Sequence, residues 1–213
     1  MCYHFSLKKK QKDIEKRFDA KFADEVPNSQ LSMNEFNGFG FPFTPVITNS
    51  NRNYISIFQW GLIPQWAKDE SIQKNTLNAR VETIHEKPSF KDVVHNRCLV
   101  IADGFFEWKW LDTSGKKKEK YHIKHQQNSL FAFAGLYSEW NNPTNGEKVK
   151  TYSILTTEAN DLMSSIHIKK RMPIILDQKD EQLWIEGTEI THFKFPYEQP
   201  LEAINLSQQL KLF

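Results

Sequence analysis

The chain opens "MCYHF", with a cysteine directly behind the initiator methionine. Methionine is removed when the second side chain is small, so the expected mature protein begins at Cys2 and carries an α-amine and a thiol on adjacent carbons. An α-amine titrates at roughly 7.7–8.0 and a thiol at roughly 8.5, so both are partly reactive near neutrality. The alternative is an ordinary residue of a disordered tail.

Four further clusters put polar or titratable groups in apolar surroundings. In "ADGFFEWKW", strand alternation places Glu107 on the face opposite Phe106, Trp108 and Trp110. A carboxylate amid so much aromatic surface titrates high unless it is partnered, and such a group shuttles protons at neutral pH. The alternative is a Glu107–Lys109 pair along an exposed strand. In "NARVET", Asn78 is of a type that reads a sugar or base edge and Arg80 of a type that forks onto phosphate, against the simpler reading of an Arg80–Glu82 surface pair. In "IHIKKRMP", His167 stands beside three cations at an expected helix end, as a proton shuttle or phosphate anchor would, or as a residue that only meets the helix dipole. In "WGLIPQW", Trp60 and Trp66 flank a proline-stiffened loop suited to stacking on unpaired bases, although core packing is the usual fate of tryptophan.

No metal or cofactor is expected. His122 and His125 point to opposite sides of a strand, and the chain lacks CxxC, HExxH, P-loop and GxGxxG patterns.

The elements that must position these groups are mostly strands. "YISIF", "RCLVIA", "FFEWKWL", "YHIKH", "SLFAFAGLY", "KTYSILT" and "MPIIL" read as strands, with "DTSGKKKEK" as a charged hairpin loop. Helices are expected from Asp13 to Phe22, where Ile14, Phe18 and Phe22 share a face, through "EANDLMSSIH" with Thr157 as N-cap, and in "DQKDEQLWIEG" between an Asp177 cap and a Gly187 stop. Ser89 is expected to open a helical turn. "FNGFGFPFTPVI" reads as irregular chain whose phenylalanines are core, and the tail from Pro196 as a wrap with little regular structure. Short strands in hairpin succession with separate helices predict an α+β fold with a mainly antiparallel, barrel-like β core.

At 213 residues, 39% apolar with 16 phenylalanines, the chain suits one domain over residues 1–213 with a substantial core. It contains no bilayer-length apolar run, no signal h-region and only two cysteines, Cys2 and Cys98. A soluble, reducing, cytoplasmic setting is the expectation, with no membrane partner and a monomeric state. Net charge is only +2, but lysines cluster at Lys8–Lys12, Lys116–Lys120 and Lys169–Lys170, either as solvated loops or as a stripe along a phosphate backbone.

Together, Met1-Cys2, "WGLIPQW" (60–66), "NARVET" (78–83), "RCLVIADGFFEW" (97–108), "AGLY" (134–137) and "RMPIIL" (171–176) resemble, in order, the segments of the SRAP (SOS response-associated peptidase) family. The resemblance implies a sensor and shield of abasic sites in single-stranded DNA. It also implies a cytoplasmic protein associated with the nucleoid through that DNA. Cys2 would form an imine with the sugar aldehyde and close it to a thiazolidine. It further implies Glu107 as acid/base, His167 at the sugar hydroxyl, Asn78 and Arg80 on the lesion and its phosphates, Arg171 on the DNA, and Trp60, Trp66 and Trp108 supporting or stacking on bases. Two departures stand out. Tyr3 and His4 replace the usual Gly-Arg, which leaves His4 in the place of a backbone-binding arginine, and two extra residues separate His167 from Arg171, which must loop out if His167 is to keep its role. Alternatives are an N-terminal-nucleophile autopeptidase and a non-covalent single-strand binder, with lyase activity as a side reaction of the imine.

Overall fold

The computed structural model describes residues 2–23, 33–194, 198 and 200–209. Its strands are β1 (His4–Leu7), β2 (Lys21–Phe22), β3 (Met33–Asn37), β4 (Phe43–Thr48), β5 (Asn51–Trp60), β6 (Asn78–Arg80) and β7 (Arg97–Ala102). They continue with β8 (Gly104–Trp110), β9 (Lys118–His125), β10 (Phe131–Asn141), β11 (Lys148–Glu158), β12 (Arg171–Pro173), β13 (Ile175–Leu176) and β14 (Leu201–Asn205).

Five of these strands close on themselves. β4 pairs with β5 and β7, β10 pairs with β7 and β11, and a parallel pairing of β11 with β5, Tyr152 opposite Trp60, completes the ring. The apolar run of β7 is buried at every residue, as a strand inside such a ring requires. A second sheet, ordered β14-β9-β8-β1-β3, packs beside it. The two share an aromatic core: Phe5 on β1 lies 5.2 Å from Trp60 and 6.0 Å from Phe133, and Phe105 on β8 lies 5.9 Å from Phe133. Each fully buried phenylalanine there contributes about 1.5–3 kcal/mol. The α+β, barrel-like architecture expected from the sequence is the one observed.

Several local expectations are corrected. The first helix spans Gln11–Phe18 and stops at Asp19, which takes the left-handed conformation (φ 48°), so Phe22 lies on β2 opposite Ile55 instead of on the helix. "FNGFGFPFTPVI" is not irregular. It contains the end of β3, a 3-10 turn and β4, in which Pro45 lies opposite Ile57 of β5, one residue before the ladder to β7 begins at Val46. Ser89 caps nothing: the 3-10 turn Lys91–Val93 starts after Phe90 without a side-chain cap. Thr157 lies within β11, which runs on to Glu158, and the short helix Asp161–Ser164 is capped by Asn160, whose Oδ1 accepts from the Met163 N–H at 2.9 Å. The tail supplies a real edge strand, β14, paired with β9 from Leu201 opposite His125 to Asn205 opposite Tyr121. The helix Gln178–Glu186 has the expected ends, Asp177 accepting from Lys179 and Asp180 and Gly187 closing it at φ 93°. Among the described residues, no helix is long and apolar enough to cross a membrane.

Candidate functional site

Cys2 is no loose tail residue. The strand it leads, β1, is clamped between β8 and β3, with His4 opposite Phe106 and Asn37. Cys2 is fully buried, its carbonyl accepts from Asn78 Nδ2 at 2.8 Å, and its Sγ donates to the His4 carbonyl at 3.6 Å. Asn78 reaches it because β6 pairs in parallel with β11, Asn78 opposite Ile154, which brings the "NAR" segment against the start of the chain.

Glu107 on β8 is 5% exposed and shares its face with Phe105, while Trp108 and Phe106 turn to the other face, where Lys120 Nζ lies 5.2 and 4.5 Å from their rings. Burial drives the Glu107 carboxyl up to about 7, so near neutrality it exists in both forms. Burial, followed by the nearby Glu107 carboxylate, pushes the Cys2 thiol well above its ordinary range. The thiol is therefore protonated at rest.

His167 Nε2 stands 3.8 Å from Glu107 Oε2. The two extra residues before Arg171 do loop out: Lys170 adopts φ 48°, its N–H bonds to the His167 carbonyl at 2.8 Å, and Ile168 projects outward. The tight turn lets the Arg171 N–H donate to His167 Nδ1 at 3.1 Å. Burial, with Lys169 and Arg171 adding to it, lowers His167 to about 4, so the ring is neutral and carries its proton on Nε2, toward Glu107.

Arg171 itself does not reach for a phosphate. Its guanidinium is buried, forks onto Glu82 at 2.6 and 3.0 Å, and donates to the Thr156 carbonyl at 2.7 Å. This replaces the Arg80–Glu82 pair weighed from the sequence. Arg80 is exposed and lines a pocket of about 270 Å³ with Tyr3, Asn78, Thr83 and Phe90. Trp66, 54% exposed, borders it by donating its indole N–H to the Pro88 carbonyl at 3.2 Å.

Trp60, by contrast, is wholly buried and donates to the Leu77 carbonyl at 2.8 Å, so no face remains for a base and its part is to support the site from the core. His4 and Trp108 form a separate group on the outer face of the second sheet, their rings 4.7 Å apart, with His4 Nδ1 at 2.8 Å from Glu35. Burial lowers the His4 pKa despite Glu35, so it is no substitute for a backbone-binding arginine cation. The structure thus gathers Cys2, Asn78, Glu107 and His167, sets Arg80 and Trp66 around the adjoining pocket, and leaves Trp60, His4, Trp108 and Arg171 outside it.

Sequence reading missed Tyr3 and Phe39. Their rings lie 4.9 Å apart beside the pocket, and Phe39 and Phe43 are more than half exposed although they were expected in the core. The only signal was the number of aromatics near Gly38 and Gly40. Among the described residues, no group of three or more His, Cys, Asp or Glu is arranged to hold a metal.

The family model described as SOS response associated peptidase (SRAP) matches residues 1–211. The abasic site processing protein YoqW of Bacillus subtilis (strain 168) is 48% identical over 141 residues, 66% of this chain and 61% of its own, so the match spans about three-fifths of that relative. Its counterpart YoaM is 40% identical over 87% of this chain and 79% of its own. A crystal structure of a protein from Bacteroides thetaiotaomicron superposes with a TM-score of 0.89 at 35% identity, covering 99% of this chain and 94% of the other. With its motifs in order and its Cys2, Asn78, Glu107 and His167 brought to one place, the chain belongs to the SOS response associated peptidase family.

Proposed function

We propose that this protein captures abasic sites in single-stranded DNA by a covalent bond to Cys2, and so shields them, acting on DNA in the cytoplasm. With Met1 removed, the α-amine of Cys2 adds to the C1′ aldehyde of the open sugar and water leaves to give an imine. The thiol then adds across the C=N bond, its proton passing to the nitrogen, and a five-membered thiazolidine closes. Intramolecular closure supplies a high effective concentration. The raised thiol pKa puts the amine first and the sulfur second, and speaks against a resting thiolate of the cysteine-peptidase kind.

Glu107, near half protonation at neutral pH, gives a proton to the departing hydroxyl and, as a carboxylate, relays the thiol proton to the imine nitrogen. His167, neutral with Nε2–H turned to Glu107, suits proton transfer at the sugar hydroxyl that opens the ring. Asn78 holds the Cys2 carbonyl and thereby orients the residue that reacts. Arg80 and Trp66 supply a cation and an aromatic face beside it.

The observation that carries this reading is that Cys2 is buried and anchored by Asn78, next to a carboxyl that titrates at about 7. The names of YoqW and YoaM point to the same substrate. The test uses an abasic oligonucleotide. Cys2→Ala should lose the heat-stable crosslink with the fold intact, and Cys2→Ser should leave an imine trappable by borohydride. A Cys2→Ala protein that crosslinks like the parent overturns the proposal.

A further inference from the structure

A second groove, of about 370 Å³, shares no lining residue with the Asn78–Arg80 pocket yet begins at His167. One wall is the end of β8 and the start of its hairpin, Lys109 to Thr113, and the other is the segment Ser164 to Ile168. Three large apolar side chains stand exposed along it: Trp110 at 37%, Leu111 at 53% and Ile168 at 53%. One such residue on a surface is ordinary, but three on one groove form a patch that calls for an occupant.

The hairpin holds Trp110 in place. Gly115, at φ +65°, comes so close that a Cβ there would lie 2.7 Å from the ring, and Lys118 Nζ sits 5.0 Å from its centroid. An aromatic ring already immobilised loses little freedom when a ligand stacks on it. The charge around the groove is positive. Lys109 lines it, Lys118 lies over Trp110, and Lys169 and Lys170 continue the chain past Ile168. The one carboxylate among the lining residues, Asp112, is turned into the hairpin, where it accepts from Ser114 Oγ at 2.7 Å and from the Lys116 and Lys117 N–H groups at 3.1 and 2.8 Å. A flat apolar body carrying an anion fits this lining, whereas an acid-poor apolar peptide would leave the cations unused. His167 belongs both to this groove and to the pair with Glu107, so whatever sits here adjoins the reacting atoms.

We propose that the groove holds an unpaired nucleotide next to the lesion on the captured strand, its base against Trp110 and Leu111 and its phosphate near Lys109 and Lys118. The proposal rests on the capture reading above and adds a subsite to it. The strand would then enter at one pocket, present its abasic sugar at Cys2, and leave along the other.

The test uses two abasic oligonucleotides, one with nucleotides only 5′ of the lesion and one with nucleotides only 3′. Crosslinking rates of the parent, Trp110→Ala and Trp110→Phe are compared on each, and polarisation binding of a labelled single strand without a lesion is measured in parallel. Trp110→Ala should slow capture of one oligonucleotide about ten-fold and leave the other unchanged, with Trp110→Phe restoring most of the loss. Equal effects on both, or none, overturn the subsite. If the parent crosslinks neither, the capture reading fails and the polarisation arm decides: weaker binding by Trp110→Ala supports the groove, unchanged binding overturns it. Thermal unfolding checks the fold, and Leu111→Ser serves as a second variant, with the same outcomes, should Trp110→Ala melt early.

Discussion

The Arg171 N–H donates to His167 Nδ1 across 3.1 Å, and that bond decides which imidazole nitrogen faces Glu107. A ring accepting at Nδ1 keeps its proton on Nε2 while neutral. Arg171 holds its own position through its fork on Glu82 and its bonds to Thr156, so a strut far from Cys2 in sequence sets the protonation geometry beside it.

Glu82→Ala should therefore destabilise the protein by about 1–2 kcal/mol, because it leaves a buried guanidinium short of its anion while Glu82 itself is partly solvated. Burial, the largest single influence, would raise the Glu82 carboxyl, but the Arg171 hydrogen bond, the backbone N–H of Glu82 and the charges of Arg171 and Arg80 together hold it below its ordinary value. Glu82→Gln keeps one hydrogen bond and should cost less. Urea denaturation of the two variants measures the difference, and equal losses would contradict the ionic contribution.

Glu107 gives stability a pH dependence of a particular sign. Its pKa rises from an ordinary 4.5 to about 7 on folding, so between those values the folded state keeps a proton that the unfolded state releases. Stability from this group is fully present below about 4.5 and is lost as pH climbs toward 7. His167, lowered to about 4, acts in the opposite sense, but it is common to both proteins in a comparison with Glu107→Gln. The stability difference should move in favour of Glu107→Gln with rising pH by roughly 2–3 kcal/mol. Denaturation at pH 5 and pH 8 checks this, and a pH-independent difference would refute the raised carboxyl.

The two tryptophans of "WGLIPQW" should separate cleanly. Trp60→Phe removes a fully buried indole and its bond to the Leu77 carbonyl and should cost about 1–3 kcal/mol. Trp66→Ala should change stability by no more than about 0.5 kcal/mol and slow abasic-strand capture several-fold. Melting curves beside crosslinking rates distinguish them, and a stable Trp60→Phe protein with impaired capture would reverse the assignment.

Gly104 and His122 should be coupled. A Cβ at Gly104 would lie 2.2 Å from His122 Nε2, and His122 has little room to yield, being buried, 3.2 Å from Ser6 Oγ and stacked on Phe106 at 4.7 Å. Gly104→Ala should cost about 1–3 kcal/mol. In Gly104→Ala/His122→Ala the summed single losses should be undercut by about 1 kcal/mol or more. Strict additivity in a double-mutant cycle would show that the contact does not constrain β8 against β9.

The strands were legible because hydrophobic runs and alternation are local: "RCLVIA" is buried at every residue, and Glu107 lies opposite Trp108 as period two requires. β4 was not, since Gly38, Gly40 and Pro45 read as punctuation, whereas pairing with β5 from Phe43 and with β7 from Val46 makes the segment a strand. Helix ends moved for a similar reason. Phe22 fits a helical stripe by spacing, yet its pairing with Ile55 comes from a distant strand.

By itself the sequence determined which side-chain groups are present, a thiol at Cys2, a carboxyl at Glu107, an amide at Asn78 and an imidazole at His167, and on which strand face Glu107 stands. Only the tertiary structure decided that Asn78 holds Cys2, that Arg171 orients His167, that Trp60 turns inward and Trp66 outward, and that a groove at Trp110 adjoins the site. Residue identity and strand alternation are properties of neighbours along the chain. The site depends on the parallel pairing of β11 with β5 and β6 and on contacts between residues 76 and 89 positions apart, and no local pattern encodes these.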